Sequence, residues 1–395
     1  MKLLHTSDWH IGQTFHGYDR KKEHLVFLDR LKAIIQEKDI DVLLVAGDIF
    51  DTPNPSAESQ KIFYRFLKEI NRLKPDLQTI IIAGNHDSAG RLEAPNPLLE
   101  EMNIIIRGNA KKLPGGEIDY DNLIVPLKEN EGYCFCLPYL RQGDYPEAET
   151  YSQGVQAFIK EMSLKITDDK PIVVMAHLYA SGAELSADDY SERTIAGGIE
   201  CISSRVFDRE NIVYVALGHL HKAQIVGKKE FIRYAGSSLP MSFSEKFYSQ
   251  GVNCFEIKNN QLFRFERIEF DTPVKLLSIP SQAGDLNDVL TAIEQLPAGE
   301  ITDFSPFLEV KVRMKEPDPS LKYKLEEALK HKAVRLASLK AVFPEKKQET
   351  ILRFEDLKSI HPVEMAEDIF VRRYGEKMPE KMKNLLVNLI KELEV

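Results

Sequence analysis

A chain of 395 residues leaves room for two or three domains of roughly 100–200 residues each. With 43% hydrophobic and 29% charged residues it can bury a substantial core, which excludes a wholly disordered chain. Lys and Arg total 52 against 61 Asp and Glu, a net charge of -9, so a surface that is basic throughout is excluded. Any contact with nucleic acid must run through a local basic patch, metal ions or a partner. No apolar run reaches the roughly 20 residues of a membrane span. The opening MKLLHTSDWH turns polar too soon for a secretory signal. Cys134, Cys136, Cys201 and Cys254 form no CxxC pair, and Cys134 and Cys136 fall on one face of one strand. All four read as reduced thiols of a cytoplasmic protein.

In chain order, 2–6 reads as a short strand and 20–37 as a helix through Leu25, Leu28, Leu31 and Ile35. A buried strand follows at 41–46, then a helix at 56–73 with Ser56 as N-cap. Strands are expected at 79–83, 104–106, 171–176 and 212–217, because these short Ile- and Val-rich runs suit buried strands with helical crossovers. After about residue 230, shorter alternating strands (231–235, 252–257) suggest a second sheet beside the first. Residues 271–345 read as a small α+β domain: strand 274–279, helix 286–296, strand 307–314, helix 320–331, strand 334–342. Residues 346–395 read as a linker and two helices, the last with an apolar stripe through Met382, Leu385, Leu386, Leu389, Ile390 and Leu393.

Five clusters each directly follow a predicted strand: Asp8-Trp9-His10, the loop from Gly47 and Asp48 to Asp51, Gly84-Asn85-His86-Asp87, His177, and Gly218-His219-Leu220-His221. In an α/β sheet the carboxyl ends of strands form the crevice where ligands bind. Five of the 10 histidines fall in these clusters, so the clusters are expected to converge on one site. Asp oxygens, His nitrogens and an Asn carbonyl, with no Cys, suit manganese, iron or zinc better than copper or an iron–sulfur cluster. Two adjacent dications repel and need a bridging carboxylate, for which Asp48 is the best placed. His5, inside the first strand, reads as packing or hydrogen bonding.

The ordered set DxH, GDxxD, GNHD, His and GHxH resembles that of the calcineurin-like metallophosphoesterases. HIGQTFHGYDRKKEH, GNHDSAGR, HLYASGAELSADDYSERTIAGG and RYAGSSLPMSFSEK narrow the resemblance to the bacterial SbcD family, nuclease subunits of SbcC–SbcD DNA repair complexes, over residues 1–270. The resemblance implies a four-layer α/β/β/α sandwich, with residues 271–345 as a capping domain that binds DNA and the C-terminal helices as a partner-binding element. It implies two divalent metal ions, typically manganese. One would be held by Asp8, His10, Asp48 and His221, and the other by Asp48, Asn85, His177 and His219. His86 would contact the scissile phosphate and assist the leaving oxygen. Asp87 would either orient His86 or cap a helix. Asp51 stands where some relatives carry a His, and would support the ligands from behind.

The implied activity is a DNA nuclease, with an SbcC-type ATPase as partner and a homodimer as its assembly. A small-molecule phosphodiesterase of the same superfamily and a non-catalytic scaffold are the alternatives. Gln13, Thr14, His16, Arg20 and Arg91 could touch DNA backbone, or the arginines could pair with nearby carboxylates. Lys322, Lys324, Lys330, Lys332, Arg335 and Lys340, around His331, form either a solvated face or a track along phosphates. The last helix either packs within the chain or docks on the ATPase's coiled coil.

Overall fold

The structure, a computed structural model, describes residues 1–184 and 201–343 and positions 370, 378, 379, 382 and 383. Met1–Val342 forms one unit and Phe343–Val395 a second. Apart from the isolated positions, the linker and closing helices expected over 346–395 lie outside the described residues. Among the described residues, no helix is long and apolar enough to cross a membrane.

The first part of the larger unit runs β1 (Lys2–Thr6), α1 (Lys21–Glu37), β2 (Val42–Ala46), α2 (Ala57–Leu73), β3 (Gln78–Ile82), β4 (Ile104–Arg107), β5 (Ile124–Leu127), β6 (Gly132–Leu137), α3 (Tyr151–Leu164), β7 (Ile172–His177), β8 (Ile212–Gly218), β9 (Gln224–Val226), β10 (Lys229–Tyr234), β11 (Gly251–Lys258) and β12 (Gln261–Glu269). Two six-stranded sheets result, ordered β12-β11-β1-β2-β3-β4 and β9-β10-β8-β7-β6-β5. The strands from β1 to β4 pair in parallel, as do β6, β7 and β8.

Alternate side chains of a strand point to opposite faces, and both faces of each sheet are buried, which is why the central strands read as unbroken apolar runs. Leu3, Val42, Leu44, Ile80 and Ile82 face Cys134, Val173, Met175 and Tyr214 of the other sheet. Their neighbours Leu4, Leu43, Val45 and Ile81 pack under Phe27 and Leu31 of α1 and Phe63 and Leu67 of α2. On the far side, Phe135, Val174 and Val215 lie against Val155, Phe158 and Ile159 of α3. The layers are therefore α/β/β/α. Ser56 caps α2, accepting from the Ser59 amide at 3.1 Å.

Two features differ from the sequence reading. The strands after residue 230 do not form a sheet of their own: β10 joins β8, whereas β11 pairs antiparallel with β1. Pairing partners lie far apart in the chain, and local alternation does not encode them. Helix α3 carries Gly154, which weakens its helical signal. A Cβ there would lie 2.2 Å from the Tyr145 ring, so close packing requires the glycine.

Beyond β12 come β13 (Leu276–Gly284), α4 (Leu286–Glu294), β14 (Phe307–Arg313), α5 (Leu321–Leu329) and β15 (Arg335–Val342), forming a three-stranded parallel sheet ordered β13-β14-β15. Val289 and Ile293 of α4 and Leu321 and Leu325 of α5 pack on Leu308, Val310 and Val312. Phe15, Phe243, Val274 and Phe307 form a separate apolar cluster that seats this region on the sandwich. The four cysteines are free thiols, with Cys134 and Cys136 buried and their sulfurs 4.0 Å apart.

Candidate active site

The five clusters meet at the carboxyl ends of β1, β2, β3, β7 and β8. Asp8, His10, Asp48 and His219 adopt left-handed backbone, with φ of 52°, 47°, 50° and 102°. Such a conformation costs of order 1–3 kcal/mol at a non-glycine residue and persists only where its surroundings enforce it. Here the Asp8 amide donates to the Gly47 carbonyl and the His10 amide to the Asp48 carbonyl, each at 3.0 Å. Ser238 braces the first loop from the other side, its amide on the Asp8 carbonyl at 3.2 Å and its hydroxyl on that of Trp9 at 3.0 Å. Trp9 is buried edge-on against Phe27, Phe63 and Phe66, and its Nε1 donates to Thr6 Oγ1 at 3.0 Å. It anchors the loop, which leaves its neighbours Asp8 and His10 free to face the crevice.

Glycine lets the loops approach closely. A Cβ on Gly47 would lie 2.2 Å from His177 Nδ1, and one on Gly218 would lie 1.9 Å from the Ala46 carbonyl oxygen. Gly218→Ala is accordingly expected to cost about 1–3 kcal/mol from overpacking, read as a lowered denaturant midpoint.

Asp48 sits at the centre. Its Oδ2 lies 3.7 Å from His10 Nε2 and 3.3 Å from His177 Nε2, so one oxygen faces both imidazoles. Its Oδ1 accepts from the His86 amide at 2.8 Å. Asn85 Oδ1 lies 3.0 Å from His177 Nε2 and 3.1 Å from His219 Nδ1. Asp8 accepts the His219 amide on both carboxylate oxygens, at 3.0 and 3.2 Å. Asp8, His10 and His221 bring three donor atoms within metal-chelating reach of one another, as do Asp8, Asp48 and His177, and also His10, Asp51 and His86.

The chemistry of this donor set fits a cation. His177 Nδ1–H donates to the Ala46 carbonyl at 2.9 Å, so a neutral His177 turns the Nε2 lone pair toward the oxygens of Asn85 and Asp48. Only a proton or a metal ion resolves that opposition. Burial disfavours a charged His177, but the carboxylates of Asp48 and Asp8 outweigh it and raise its pKa to about 9. Burial works against ionisation of Asp48 as well, yet the imidazoles of His177, His10 and His86 hold it below the usual carboxylate range. For His219, burial and then the neighbouring His177 lower the pKa to about 3, which leaves its imidazole neutral. His10 Nε2 is buried without a hydrogen-bond partner, as a nitrogen awaiting a metal would be. A metal held by His177 would have to displace its proton, so affinity for a divalent cation at that residue is expected to rise with pH up to about 9. Calorimetric titrations at a series of pH values check this, and an affinity independent of pH would contradict it.

His86 is half-buried, and its Nδ1–H donates to the Asp51 carbonyl at 2.9 Å, leaving Nε2 free to act. Asp51 also places its carboxylate 3.6 Å from His10 Nδ1. Asp87 neither orients the His86 ring nor caps a helix. Its buried carboxylate accepts from the amides of Gly84 at 2.9 Å, Ile49 at 3.1 Å and Phe50 at 3.0 Å, tying two loops together. Burial, and then the charge of Asp48, raise its pKa to about 6.

Of the residues expected at DNA, Arg20 is not available. It is fully buried, paired with Glu23 at 2.8 Å, and donates to the Pro240 carbonyl at 2.7 Å and to Gln13 Oε1 at 2.8 Å. The expected phosphate contact gives way to a structural one, and Gln13 is half-buried as its acceptor. Thr14, His16 and Arg91 are exposed, Arg91 resting on Asn54. The basic run of the capping region does not share one free face. Arg335 is buried on the Phe307 ring at 3.8 Å, Lys332 donates to the Glu294 and Leu296 carbonyls, and Lys324 and Lys340 pair with Asp318 and Glu309. His5 is buried, with Nδ1 3.1 Å from the Tyr214 hydroxyl.

Glu245 escapes the sequence reading. It is fully buried, and its Oε1 accepts from His221 Nδ1 at 3.0 Å. Nothing in the run SFSEK distinguishes it from an ordinary surface glutamate.

A crevice of Asp, Asn and His side chains at the strand ends of an α/β/β/α sandwich defines a metal-dependent phosphoesterase. Residues 1–223, more than half of the chain, match the Calcineurin-like phosphoesterase family, and residues 272–377 match the Type 5 capsule protein repressor C-terminal domain. The chain belongs to the calcineurin-like phosphoesterases and, within them, to the SbcD family. The SbcD component of the SbcCD nuclease from Rhodobacter capsulatus is 35% identical over 87% of this chain and 88% of its own. Its counterparts in Escherichia coli K12 and Bacillus subtilis are 30% and 28% identical, over 75% and 80% of this chain and 74% and 79% of theirs.

Proposed function

We propose that this chain is a manganese-dependent DNA nuclease, the nuclease subunit of an SbcCD-type repair complex. It hydrolyses phosphodiester bonds as an exonuclease on duplex ends and an endonuclease on single strands and hairpins. The observation that carries this reading is the convergence on Asp48 Oδ2 of His10 from one sheet and His177 from the other, each set among further oxygen and nitrogen donors. Asp8, His10, Asp48 and His221 would hold one divalent ion, and Asp48, Asn85, His177 and His219 the second. A bound ion pair supplies Lewis acidity toward a phosphate and an attacking water.

The chain's own groups do the rest. Asp48 presents one oxygen to both positions and spends the other on the His86 amide, which ties His86 to the metal centre. His86, steered by the Asp51 carbonyl, offers Nε2 to the leaving oxygen as a proton or hydrogen-bond donor. His16 and Arg91, exposed on loops following two of the site motifs, are placed to meet backbone phosphates. An SbcC-type ATPase and a second copy of the chain supply the DNA-binding surface that a net charge of -9 does not, in the cytoplasm.

The test is an assay of the purified chain with manganese on linear duplex DNA, hairpin DNA and bis-p-nitrophenyl phosphate, with and without the ATPase. Cleavage of DNA is the expected result. Turnover of the small ester with no DNA cleavage, even with the partner present, would reject the nuclease reading.

A further inference from the structure

We infer that Glu245 is a positioning residue for the metal centre, and that it links His221 to the seat of the capping region. The inference rests on the metal-centre reading above and extends it to a residue that touches neither substrate nor ion.

Three observations lead there. First, the Glu245 carboxylate is fully buried beside His221 and accepts from Nδ1–H at 3.0 Å. That contact selects the tautomer whose Nε2 carries the lone pair, and it fixes the plane of the ring. A carboxylate behind a ligating imidazole also makes the imidazole a stronger donor. Second, the carboxylate is itself held in place: Oε2 accepts from the Met241 amide at 2.7 Å. The orientation of His221 is thus set by a rigid partner. Third, Glu245 lies on a single short 3-10 helix, Phe243–Phe247, whose first residue belongs to the apolar cluster with Phe15, Val274 and Phe307. The Phe243 ring lies 5.2 Å from that of Phe15, which in turn lies 4.7 Å from Phe307 of the capping sheet. The helix is therefore gripped at one end by the capping region and, two residues on, grips a metal ligand. A shift in how the capping region seats would move the Glu245 carboxylate and so reset the His221 ring.

The experiment is a calorimetric titration of manganese alone into the full chain, comparing the unsubstituted protein with Glu245→Ala, His221→Ala, the double variant and Phe243→Ala. Glu245→Ala is expected to weaken one binding event by about 10- to 100-fold and to leave the other unchanged. On the His221→Ala background the same substitution should add nothing, because Glu245 acts through that ring. Phe243→Ala should weaken the same event as Glu245→Ala, although it removes no polar group. Unaltered affinity in Glu245→Ala, or an equal further loss in the double variant, would overturn the positioning role. Unaltered affinity in Phe243→Ala would overturn the link to the capping region. Should Glu245→Ala fail to fold by circular dichroism, Glu245→Gln carries the same test: one acceptor oxygen remains for the His221, Met241 and Ser242 donors, and a smaller loss at the same event is expected. An unsubstituted chain that binds no manganese would instead strike the metal-centre reading, and that trace alone tells the two failures apart.

Discussion

Replacing His86 by alanine is expected to cut DNA cleavage by about 100- to 10,000-fold while both metal positions still fill, the range a positioned general acid supplies. The side chain is held by the Nδ1–H bond to the Asp51 carbonyl and by edge-on packing against the His10 ring, and neither contact engages Asp48. What ties this residue to the metal centre is its backbone: the amide bonded to Asp48 Oδ1 survives the substitution. The variant should therefore bind manganese with near-normal affinity and stoichiometry. Metal analysis paired with a nuclease assay checks both halves. Full activity would remove His86 from the mechanism, and loss of metal would make it a ligand.

Asp48→Ala is expected to fail at an earlier step. One oxygen of this carboxylate faces both His10 and His177, which come from different sheets, whereas Asn85 Oδ1 faces His177 and His219, both from one sheet. Its removal takes the negative charge from between the imidazoles of His10 and His177 and leaves the His86 amide without its acceptor. Losing a partner behind a ligand costs roughly 10- to 100-fold in affinity, so losing a shared ligand should exceed about 100-fold and abolish activity with it. Retention of both ions by Asp48→Ala would overturn the bridge. The two variants separate the roles, since one keeps metal without turnover and the other loses both.

The site was legible because its chemistry is carried by side chains that rarely occur together at strand ends. Asp8, Asp48 and Asn85 lie on loops whose preceding strands announce themselves as apolar runs, and the donors are spaced closely within each loop. The parts that escaped are those whose meaning depends on a partner distant in sequence. Arg20 looks like a phosphate ligand until Pro240, brought from the far side of the chain, takes one of its donors and Glu23 takes two more. Asp87 stands beside His86 in sequence, but its carboxylate turns toward the amides of Gly84, Ile49 and Phe50.

By itself, the amino-acid sequence determined most of the strands and helices, though not α3 or β5, the burial of the central strands on both faces, and the set of oxygen and nitrogen donors at their ends. Those are local properties, written in periodicity and residue type. Only the tertiary structure decided which strand pairs with which, which face of each histidine is engaged, and which charged groups are enclosed. Hydrogen bonds and burial join residues such as His221 and Glu245, or His177 and Ala46, without leaving any pattern along the chain. The lone pair that each imidazole turns toward the crevice follows from such contacts, so the donor set is a property of the sequence and its aim is a property of the fold.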